Sequence, residues 1–218
     1  MINIAIDGPS GAGKSSVAKA AAKQLGFIYV DTGALYRSIG VNALRHSINP
    51  ADSEKVTALL SETHLELKYI DGTQRVFLNG DDVSEEIRLP ESSMAASKVS
   101  AIPEVRAFLL DLQRNIAAEN NVIMDGRDIG TVILPNARYK FFLTASPEVR
   151  ADRRFKELKE KGLDVNYDDI LKDIIERDYN DSHRAAAPLK QADDAVLIDS
   201  SNMNFDESVQ AIVGRIGK

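Results

Sequence analysis

The sequence predicts an α/β protein built on a doubly wound sheet of five parallel strands with helices on both faces. Short strands alternate with amphipathic helices along most of the 218-residue chain, which is the order that parallel βαβ units produce. The first strands are near-continuous apolar runs, as expected of strands covered on both faces. One stretch of alternating apolar and polar residues departs from this order and predicts a small inserted antiparallel β subdomain.

The first half of the chain supplies two strand–helix pairs. Gly26 stands where the C-terminus of a helix favours glycine, and Asp31 and Thr32 offer N-cap side chains to the second helix. The elements predicted here are a strand at 1–6, a helix at 15–25, a strand at 27–30 and a helix at about 33–45.

The second half begins with the antiparallel stretch at about 64–88, where alternating apolar residues flank Asp71 and Gly72, a strong hairpin signal. Pro103 fits the first turn of a helix. The elements predicted beyond the hairpin are helices at 91–101, 103–116, 147–161, 168–181 and 206–216, and strands at 121–124, 139–143 and 195–198.

The composition excludes several classes of protein. With 44% hydrophobic and 28% charged residues the chain is typical of a globular protein, and we expect a single domain over residues 1–218. No Cys is present, so disulfides, thiolate metal sites and thiol nucleophiles are excluded, and we expect His46, His64 and His183 to be ordinary surface or loop residues.

The charge and the N-terminus bear on partners and location. A formal charge of −6 argues against general binding to nucleic acid, which depends on surplus Lys and Arg. The N-terminus carries no basic segment followed by an apolar run, and no apolar stretch is long enough to span a bilayer. We therefore expect a cytoplasmic monomer that binds neither nucleic acid nor membranes.

A glycine-rich segment between the first strand and the first helix fits the pattern G-x-x-x-x-G-K-[ST]. Its glycines allow backbone N–H groups to surround phosphate, its lysine reaches the β- and γ-phosphates, and a serine hydroxyl binds Mg²⁺. The alternative is a glycine-rich turn without a ligand. The pattern predicts a P-loop NTPase-type fold that uses ATP with Mg²⁺. The residues expected to bind ATP are Gly8, Pro9, Ser10, Gly11, Ala12, Gly13, Lys14, Ser15 and Ser16.

A second anion site is indicated by arginines that follow two other predicted strands. Arg37 lies in the segment 31–37 and Arg127 in the segment 125–128. In a doubly wound sheet, ligands gather at the carboxyl ends of strands, so we expect both segments to face the same crevice as the phosphate loop. Each segment alone is typical of an N-cap or a loop ion pair, whereas together they favour a phosphate clamp. The D-x-x-G and N-K-x-D motifs of GTPases are absent from the sequence.

Five segments together resemble the bacterial cytidylate (CMP) kinase family, a branch of the nucleoside monophosphate kinases. They are spread over essentially the whole chain. The segments DGRDIGTVILP and ERDYNDSHRAAAPL are much more specific than the phosphate loop, which many families share. The segments are IDGPSGAGKSS, DTGALYRS, LNGDDVSEEIR, DGRDIGTVILP and ERDYNDSHRAAAPL.

The resemblance implies transfer of the γ-phosphoryl group of ATP to CMP or dCMP, and it assigns roles to residues. Those implied to hold the CMP phosphate are Thr32, Arg37, Arg127 and Arg184. Those implied to read the cytosine edge are Ser97, Arg106 and Asp128, and Arg177 and Asp181 are implied to bind the ribose. The implied catalytic residues are Lys14, Arg127, Arg184 and one of the two arginines 153 and 154.

The resemblance also implies a division of the chain. Residues 1–63 and 102–218 are the expected core, about 64–101 an inserted monophosphate-binding region, and about 150–165 a short helical lid. On a helical wheel Arg150 and Arg154 flank the apolar stripe of the lid helix, and Arg153 projects from the opposite face.

The spacing of three residues near the end of one predicted helix supports their common placement independently of the resemblance. Arg177, Asp181 and Arg184 stand at i, i+4 and i+7, so they share one face if the helix persists to residue 184. The alternative is a salt bridge on a solvated helix face.

The metal assignment leaves two choices open. Ser15 stands at the hydroxyl position of the motif, but many relatives carry Gly-Thr where this chain has Ser15 and Ser16. Asp125 fits a metal-bound water or a cap for the loop equally well, and Asp7 is expected to be a structural partner of the phosphate loop.

The sequence also allows two other functions. One is a P-loop kinase acting on UMP, AMP or a non-nucleotide acceptor, and the other is an ATP-binding regulatory module.

Overall fold

The protein was analysed as a computed structural model, which describes residues 1–70 and 72–217. The strands in these ranges, in chain order, are β1 (Asn3–Asp7), β2 (Ile28–Asp31), β3 (Leu65–Ile70), β4 (Thr73–Leu78), β5 (Asp81–Asp82), β6 (Val122–Gly126), β7 (Tyr139–Thr144) and β8 (Val196–Asp199). The helices are α1 (Lys14–Leu25), α2 (Thr32–Arg45), α3 (Ser53–Leu60), α4 (Pro90–Val99), α5 (Pro103–Glu119), α6 (Pro147–Glu160), α7 (Tyr167–His183) and α8 (Phe205–Val213).

The main sheet has five strands in the order β2-β6-β1-β7-β8. The central strand β1 pairs in parallel with both neighbours, Ile4 lying opposite Ile123 on one side and Tyr139 on the other. Strand β8 continues the parallel arrangement at the edge beside β7. The predicted α/β class and the five-stranded parallel sheet are therefore confirmed.

The chain divides into two compact units. The first, called the sheet unit, comprises Met1–Tyr29 and Asn120–Lys218, and the second, called the helical unit, comprises Val30–Glu119. Each unit has its own apolar core. The core of the sheet unit includes Ile4, Ile6, Phe141 and Leu143 from the central strands, packed against α1 and α8.

The core of the helical unit gathers α2, α4 and α5 with the small sheet β3-β4-β5. Helices α2 and α4 approach closely, because a Cβ atom at Gly40 would lie only 2.8 Å from that of Ala95. The antiparallel pairing of β3 with β4 confirms the predicted hairpin, although Asp71 of its turn lies outside the described residues. Helix α3 is an element that the sequence did not predict.

Helix boundaries follow from capping groups. Asn166 accepts hydrogen bonds from the backbone N–H groups of Asp168 and Asp169, so α7 begins at Tyr167. It ends at His183, because the ψ angle of 142° at Arg184 is extended. The helix therefore does not persist to residue 184. The prediction that Arg177, Asp181 and Arg184 share one helix face is wrong for Arg184, which lies outside the helix.

Among the helices of residues 1–70 and 72–217, none combines the length and the apolar character that a membrane span requires.

Candidate functional site

The loop between β1 and α1 has the backbone of a phosphate-binding loop. Gly8 has a φ angle of +146°, and a Cβ atom there would lie 2.0 Å from the carbonyl oxygen of Leu143 on the neighbouring strand β7. Gly13, the residue before α1, has a φ angle of +85°. Positions of this kind are available to glycine and strongly disfavoured for other residues, so the two motif glycines are required by the conformation of the loop.

Lys14 lies inside this loop at the start of α1. Its side chain is buried, and its Nζ donates a hydrogen bond of 2.7 Å to the carbonyl oxygen of Pro9. Burial, reinforced by the nearby guanidinium of Arg127, lowers the pKa of Lys14 from 10.5 to about 7. An anion bound in the loop would favour the charged ammonium, so the loop is suited to a phosphate.

An oxygen-rich group stands beside the loop. The hydroxyl of Ser15 donates a hydrogen bond of 2.9 Å to Oδ2 of Asp125, at the end of β6. The hydroxyl of Tyr29 donates one of 2.8 Å to Oδ1 of the same carboxylate. Ser16 is exposed on α1. The structure therefore brings together two of the oxygens proposed as metal partners, Ser15 and Asp125.

These oxygens fit Mg²⁺, which prefers oxygen ligands and is held in nucleotide sites by one or two protein groups together with phosphates and water. The part of the chain that the structure describes contains no cluster of three or more His, Cys, Asp or Glu able to hold a metal by itself. A site of the Mg²⁺–nucleotide type needs no such cluster.

The carboxylate of Asp181 on α7 is surrounded by arginines. Arg127 donates a hydrogen bond of 2.8 Å from its Nε to Oδ2 of Asp181. Burial alone would raise the pKa of Asp181, but the charges of Arg127, Arg177 and Arg184 hold it below its usual value. We call Arg127, Arg177, Arg184 and Asp181 the arginine cluster. With the carboxylate of Asp128 lying 3.6 Å from Arg184, three guanidinium groups face two carboxylates, which leaves a local excess of positive charge.

Asp128 lies next to the arginine cluster. Its side chain is buried, and its Oδ1 lies 3.6 Å from Nη2 of Arg184. Arg184 also donates from Nε to the carbonyl oxygen of Ala187. Although Arg184 lies just beyond the end of α7, its charge still lowers the pKa of Asp181, one of the two residues that the sequence grouped with it.

Asp7 contacts a segment different from the one expected. Both of its carboxylate oxygens accept backbone hydrogen bonds of 2.7 Å, from Ile129 and Gly130. These residues begin a single π-helical turn, Ile129–Ile133, that directly follows Asp128. Asp7 is thus a structural partner of the segment after β6, and its charge also interacts with Lys14 of the phosphate loop. Burial raises the pKa of Asp7 to about 6.

The three arginines of α6 have different surroundings. Arg150 is buried in contact with Asp178, and Arg153 donates to the carbonyl oxygen of Ser200 at 2.8 Å. Arg154 is the exposed one, paired with Glu157. Arg153 contacts a different segment from Arg150, the loop after β8, and a helical wheel cannot show that this face of α6 is also covered.

In the helical unit, Arg37 and Thr32 lie in the first turns of α2. Asp31 caps the helix by accepting from the N–H of Ala34 at 3.0 Å, as the sequence predicted, and its other oxygen accepts from Arg37 at 2.7 Å. Thr32 is buried at the first helical position. Gly33 permits this pairing, because a Cβ atom there would lie 3.0 Å from the Arg37 guanidinium.

The same unit holds the residues implied to read a base. The guanidinium of Arg106 lies 5.6 Å from the ring centre of Tyr36 and donates to the carbonyl oxygen of Ser100. Ser97 lies half-buried on α4, and its carbonyl oxygen accepts from the hydroxyl of Ser100. Arg106 and Ser97 are therefore linked through Ser100.

Sequence reasoning missed several contributors to these groups. Tyr36 lies in the segment DTGALYRS, where its only signal is an aromatic residue directly before an arginine. The pair Arg150–Asp178 had no signal, because its members lie 28 residues apart in the sequence. All three histidines are exposed, as expected, and none of them belongs to a group described above.

A parallel sheet whose central strand leads through a glycine-rich loop with a buried lysine into a helix defines the class of P-loop nucleotide-binding proteins. Within that class, the chain belongs to the cytidylate kinase family, whose sequence model matches residues 4–218.

Relatives of known family support the assignment. The cytidylate kinase of Caldicellulosiruptor bescii is 53% identical over 97% of this chain and 94% of its own length. That of Clostridium botulinum (strain Okra) is 49% identical over 100% of this chain and 98% of its own. A solved structure of an uncharacterized protein from Eubacterium ventriosum covers 98% of this chain and 97% of its own, with a TM-score of 0.51 and 12% identity, a likeness of fold alone.

Proposed function

We propose that the protein transfers the γ-phosphoryl group of ATP to the 5′-phosphate of CMP or dCMP, giving ADP and CDP or dCDP. Membership of the cytidylate kinase family is the observation that carries the proposal. The phosphate loop with its buried lysine and the arginine cluster agree with it, because phosphoryl transfer requires two anions to be held in line and their charge to be neutralised.

The phosphate loop is proposed to bind ATP. Its backbone N–H groups and the N-terminus of α1 would face the β-phosphate, and Lys14 would leave the carbonyl oxygen of Pro9 to contact the β- and γ-phosphate oxygens. Ser15, with Asp125 behind it, would hold Mg²⁺. When bound, Mg²⁺ neutralises charge on the transferred phosphoryl group.

The acceptor phosphate is proposed to bind guanidinium groups. In the sheet unit these are Arg127 and Arg184, and in the helical unit Arg37 with the hydroxyl of Thr32. A phosphate oxygen of CMP forms a new bond to the γ-phosphorus while the bond from that phosphorus to the β–γ bridging oxygen breaks, and ADP leaves with the electron pair. Arginine suits this task because its fork of N–H donors matches phosphate geometry.

The base and sugar are proposed to bind nearby residues. Asp128 can accept a hydrogen bond from the exocyclic amine of cytosine, which uracil lacks, and Arg106 and Ser97 would complete the reading of the base edge. Arg177 and Asp181 would bind the ribose. One of Arg153 and Arg154 would contact the transferred phosphate, and it would first have to leave its present partner, Ser200 for Arg153 or Glu157 for Arg154.

The division of the chain stays part of the proposal. We propose one kinase domain, with an inserted monophosphate-binding region at about 64–101 and a lid at about 150–165. The lid would exclude water and so limit hydrolysis of ATP. We also propose that the protein acts as a cytoplasmic monomer.

An acceptor panel tests the function. Release of ADP is followed with MgATP and, in separate reactions, CMP, dCMP, UMP, AMP and no acceptor, with MgGTP as the alternative donor. We expect CMP and dCMP to give the highest kcat/KM. Faster turnover of UMP or AMP would instead assign the protein to another kinase activity. If no acceptor stimulates ADP release and calorimetry detects no binding of CMP, the protein is an ATP-binding regulatory module.

A further inference from the structure

The guanidinium of Arg150 joins three separate segments of the sheet unit. It donates from Nε to the carbonyl oxygen of Ala145 at 2.9 Å and from Nη1 to the carbonyl oxygen of Ser10 at 2.9 Å. It also grips both carboxylate oxygens of Asp178 on α7, through Nη1 and Nη2. The side chain of Arg150 is only 2% exposed and that of Asp178 is 25% exposed, so the guanidinium itself is shielded from water.

The contact with Ser10 bears directly on the phosphate loop. The peptide bond between Ser10 and Gly11 is planar and trans, so the N–H of Gly11 points opposite to the carbonyl of Ser10. Fixing that carbonyl against Arg150 therefore fixes the direction of a loop N–H. The loop also rests on the side chain, since a Cβ atom at Gly11 would lie 3.4 Å from Cβ of Arg150.

The contact with Asp178 reaches the arginine cluster. Asp178 precedes Asp181 by one helical turn of α7, and Asp181 in turn accepts from Arg127 at the end of β6. Helix α7 is thus anchored twice, to Arg150 through Asp178 and to Arg127 through Asp181. The phosphate loop and the arginine cluster are therefore connected by the hydrogen bonds of Arg150 at one end and of Arg127 at the other, with one turn of α7 between Asp178 and Asp181.

From these contacts we infer that Arg150 is a positioning residue, which holds the phosphate loop in its binding conformation and, through Asp178, couples it to the arginine cluster. The inference rests on the proposed function for the identity of the two ligands, ATP and CMP. Two consequences are separable. The bond to Ser10 determines affinity for ATP, and the bonds to Asp178 determine how strongly occupancy of one site affects the other.

Two variants of the full chain separate these consequences. Arg150→Lys keeps a positive charge but cannot bond Ser10 and both oxygens of Asp178 at once. Asp178→Asn leaves the bond between Arg150 and Ser10 in place but removes the charge that joins Arg150 to α7. Asp194→Asn is the control: Asp194 pairs with the buried Lys140 in the same unit and contacts none of the groups described as the site.

Affinity for ATP is measured by calorimetry with and without CMP, and kcat and both KM values by ADP release. We expect Arg150→Lys to raise the Kd for ATP about tenfold, while the control changes the melting temperature but leaves the Kd within about twofold of wild type. For Asp178→Asn, we expect the effect of CMP on ATP affinity seen in the wild type to disappear, with a smaller change in ATP affinity itself.

Several outcomes would overturn the inference. A Kd for ATP unchanged in Arg150→Lys, with only the melting temperature lowered, would make Arg150 merely structural. Coupling that is absent from the wild type, or unchanged in Asp178→Asn, would overturn the link to the arginine cluster. If Arg150→Lys does not fold, the Kd for ATP of Arg150→Gln tests the role of Arg150 in the phosphate loop, and Asp178→Asn still tests the link to the arginine cluster. Failure of the proposed function is distinguishable, because the wild type would then bind ATP without phosphorylating CMP.

Discussion

The arginines of the two units are held in different ways. In the sheet unit, Arg127 and Arg150 are held by carboxylates from distant parts of the sequence, Asp181 at 54 residues and Asp178 at 28 residues. In the helical unit, Arg37 and Arg106 bond groups only six residues away, Asp31 and Ser100. The first arrangement requires the completed sheet, whereas the second requires little more than a helix end and one turn.

Burial differs in the same direction. The side chain of Arg184 is 10% exposed and that of Arg127 19%, against 25% for Arg37. Charges taken out of water are costly unless they are paired, so the sheet unit holds its cations in fixed geometry. The side chain of Arg37 in the helical unit is more exposed, so its surroundings constrain its position less. We therefore expect substitutions in the sheet unit to have the larger effects.

Lys14 offers the strongest test of that expectation. We expect Lys14→Met to lower kcat about 10³-fold, because the ammonium acts on charge that develops during transfer. Stability should not fall, since a buried ammonium is replaced by an apolar group of similar length. Steady-state kinetics and a thermal melt measure both quantities. A fall in melting temperature large enough to explain the lost activity would contradict this role.

Asp7 tests the sheet unit through the pH dependence of its stability. Because burial raises its pKa from 3.8 to about 6, the folded protein retains a proton that the unfolded chain releases. Its contribution to stability is therefore fully present below about pH 4 and is lost as the pH rises through about 6. Relative to Asp7→Asn, the wild type should lose about 3 kcal/mol of unfolding free energy across this window. Urea unfolding at several pH values measures the difference, and parallel curves for the two proteins would refute it.

Arg37 tests the helical unit. We expect Arg37→Lys to raise KM for CMP about tenfold, because a lysine cannot present the guanidinium fork to phosphate. Affinity for ATP should stay within about twofold of wild type. Arg45→Lys is the matched control, since Arg45 is an exposed arginine of the same helix that pairs with Glu86. Equal KM values in the two variants would remove Arg37 from the proposed site.

Asp128 offers the finest test, one of specificity. We expect Asp128→Asn to reduce the ratio of kcat/KM for CMP to that for UMP severalfold, because the amide no longer presents two acceptors to the cytosine amine. Competition between the two nucleotides in one reaction measures this ratio directly. An unchanged ratio would overturn the proposed reading of the base by Asp128.

Much of the fold was predictable because its signals are local. The alternation of apolar strands with helices, the caps Asp31 and Gly26 and the hairpin pattern each depend on a few neighbouring residues, and the structure confirms them. Helix α3 was not predicted, because it is eight residues long and buries only Val56. A helix that short gives too little periodicity to be recognised.

The site was predictable at the level of motifs and not of contacts. The phosphate loop follows from its glycines and its place after a strand. The partner of Asp7 does not, because Ile129 and Gly130 lie more than 120 residues away. The helical wheel for α6 likewise gives the faces of Arg150 and Arg153 but not the residues that they contact, Ser10 and Ser200. Tertiary contacts decided each of these positions.

The order of the strands also affects how the protein is made. The helical unit is one continuous segment, Val30–Glu119, so a growing chain can close its core as soon as that segment has left the ribosome. The sheet unit cannot: β1 is synthesised first, yet both of its neighbours, β6 and β7, are made more than 110 residues later. During synthesis the apolar strand β1 therefore waits with unsatisfied edges, and we expect the nascent chain to be most prone to aggregation in that interval.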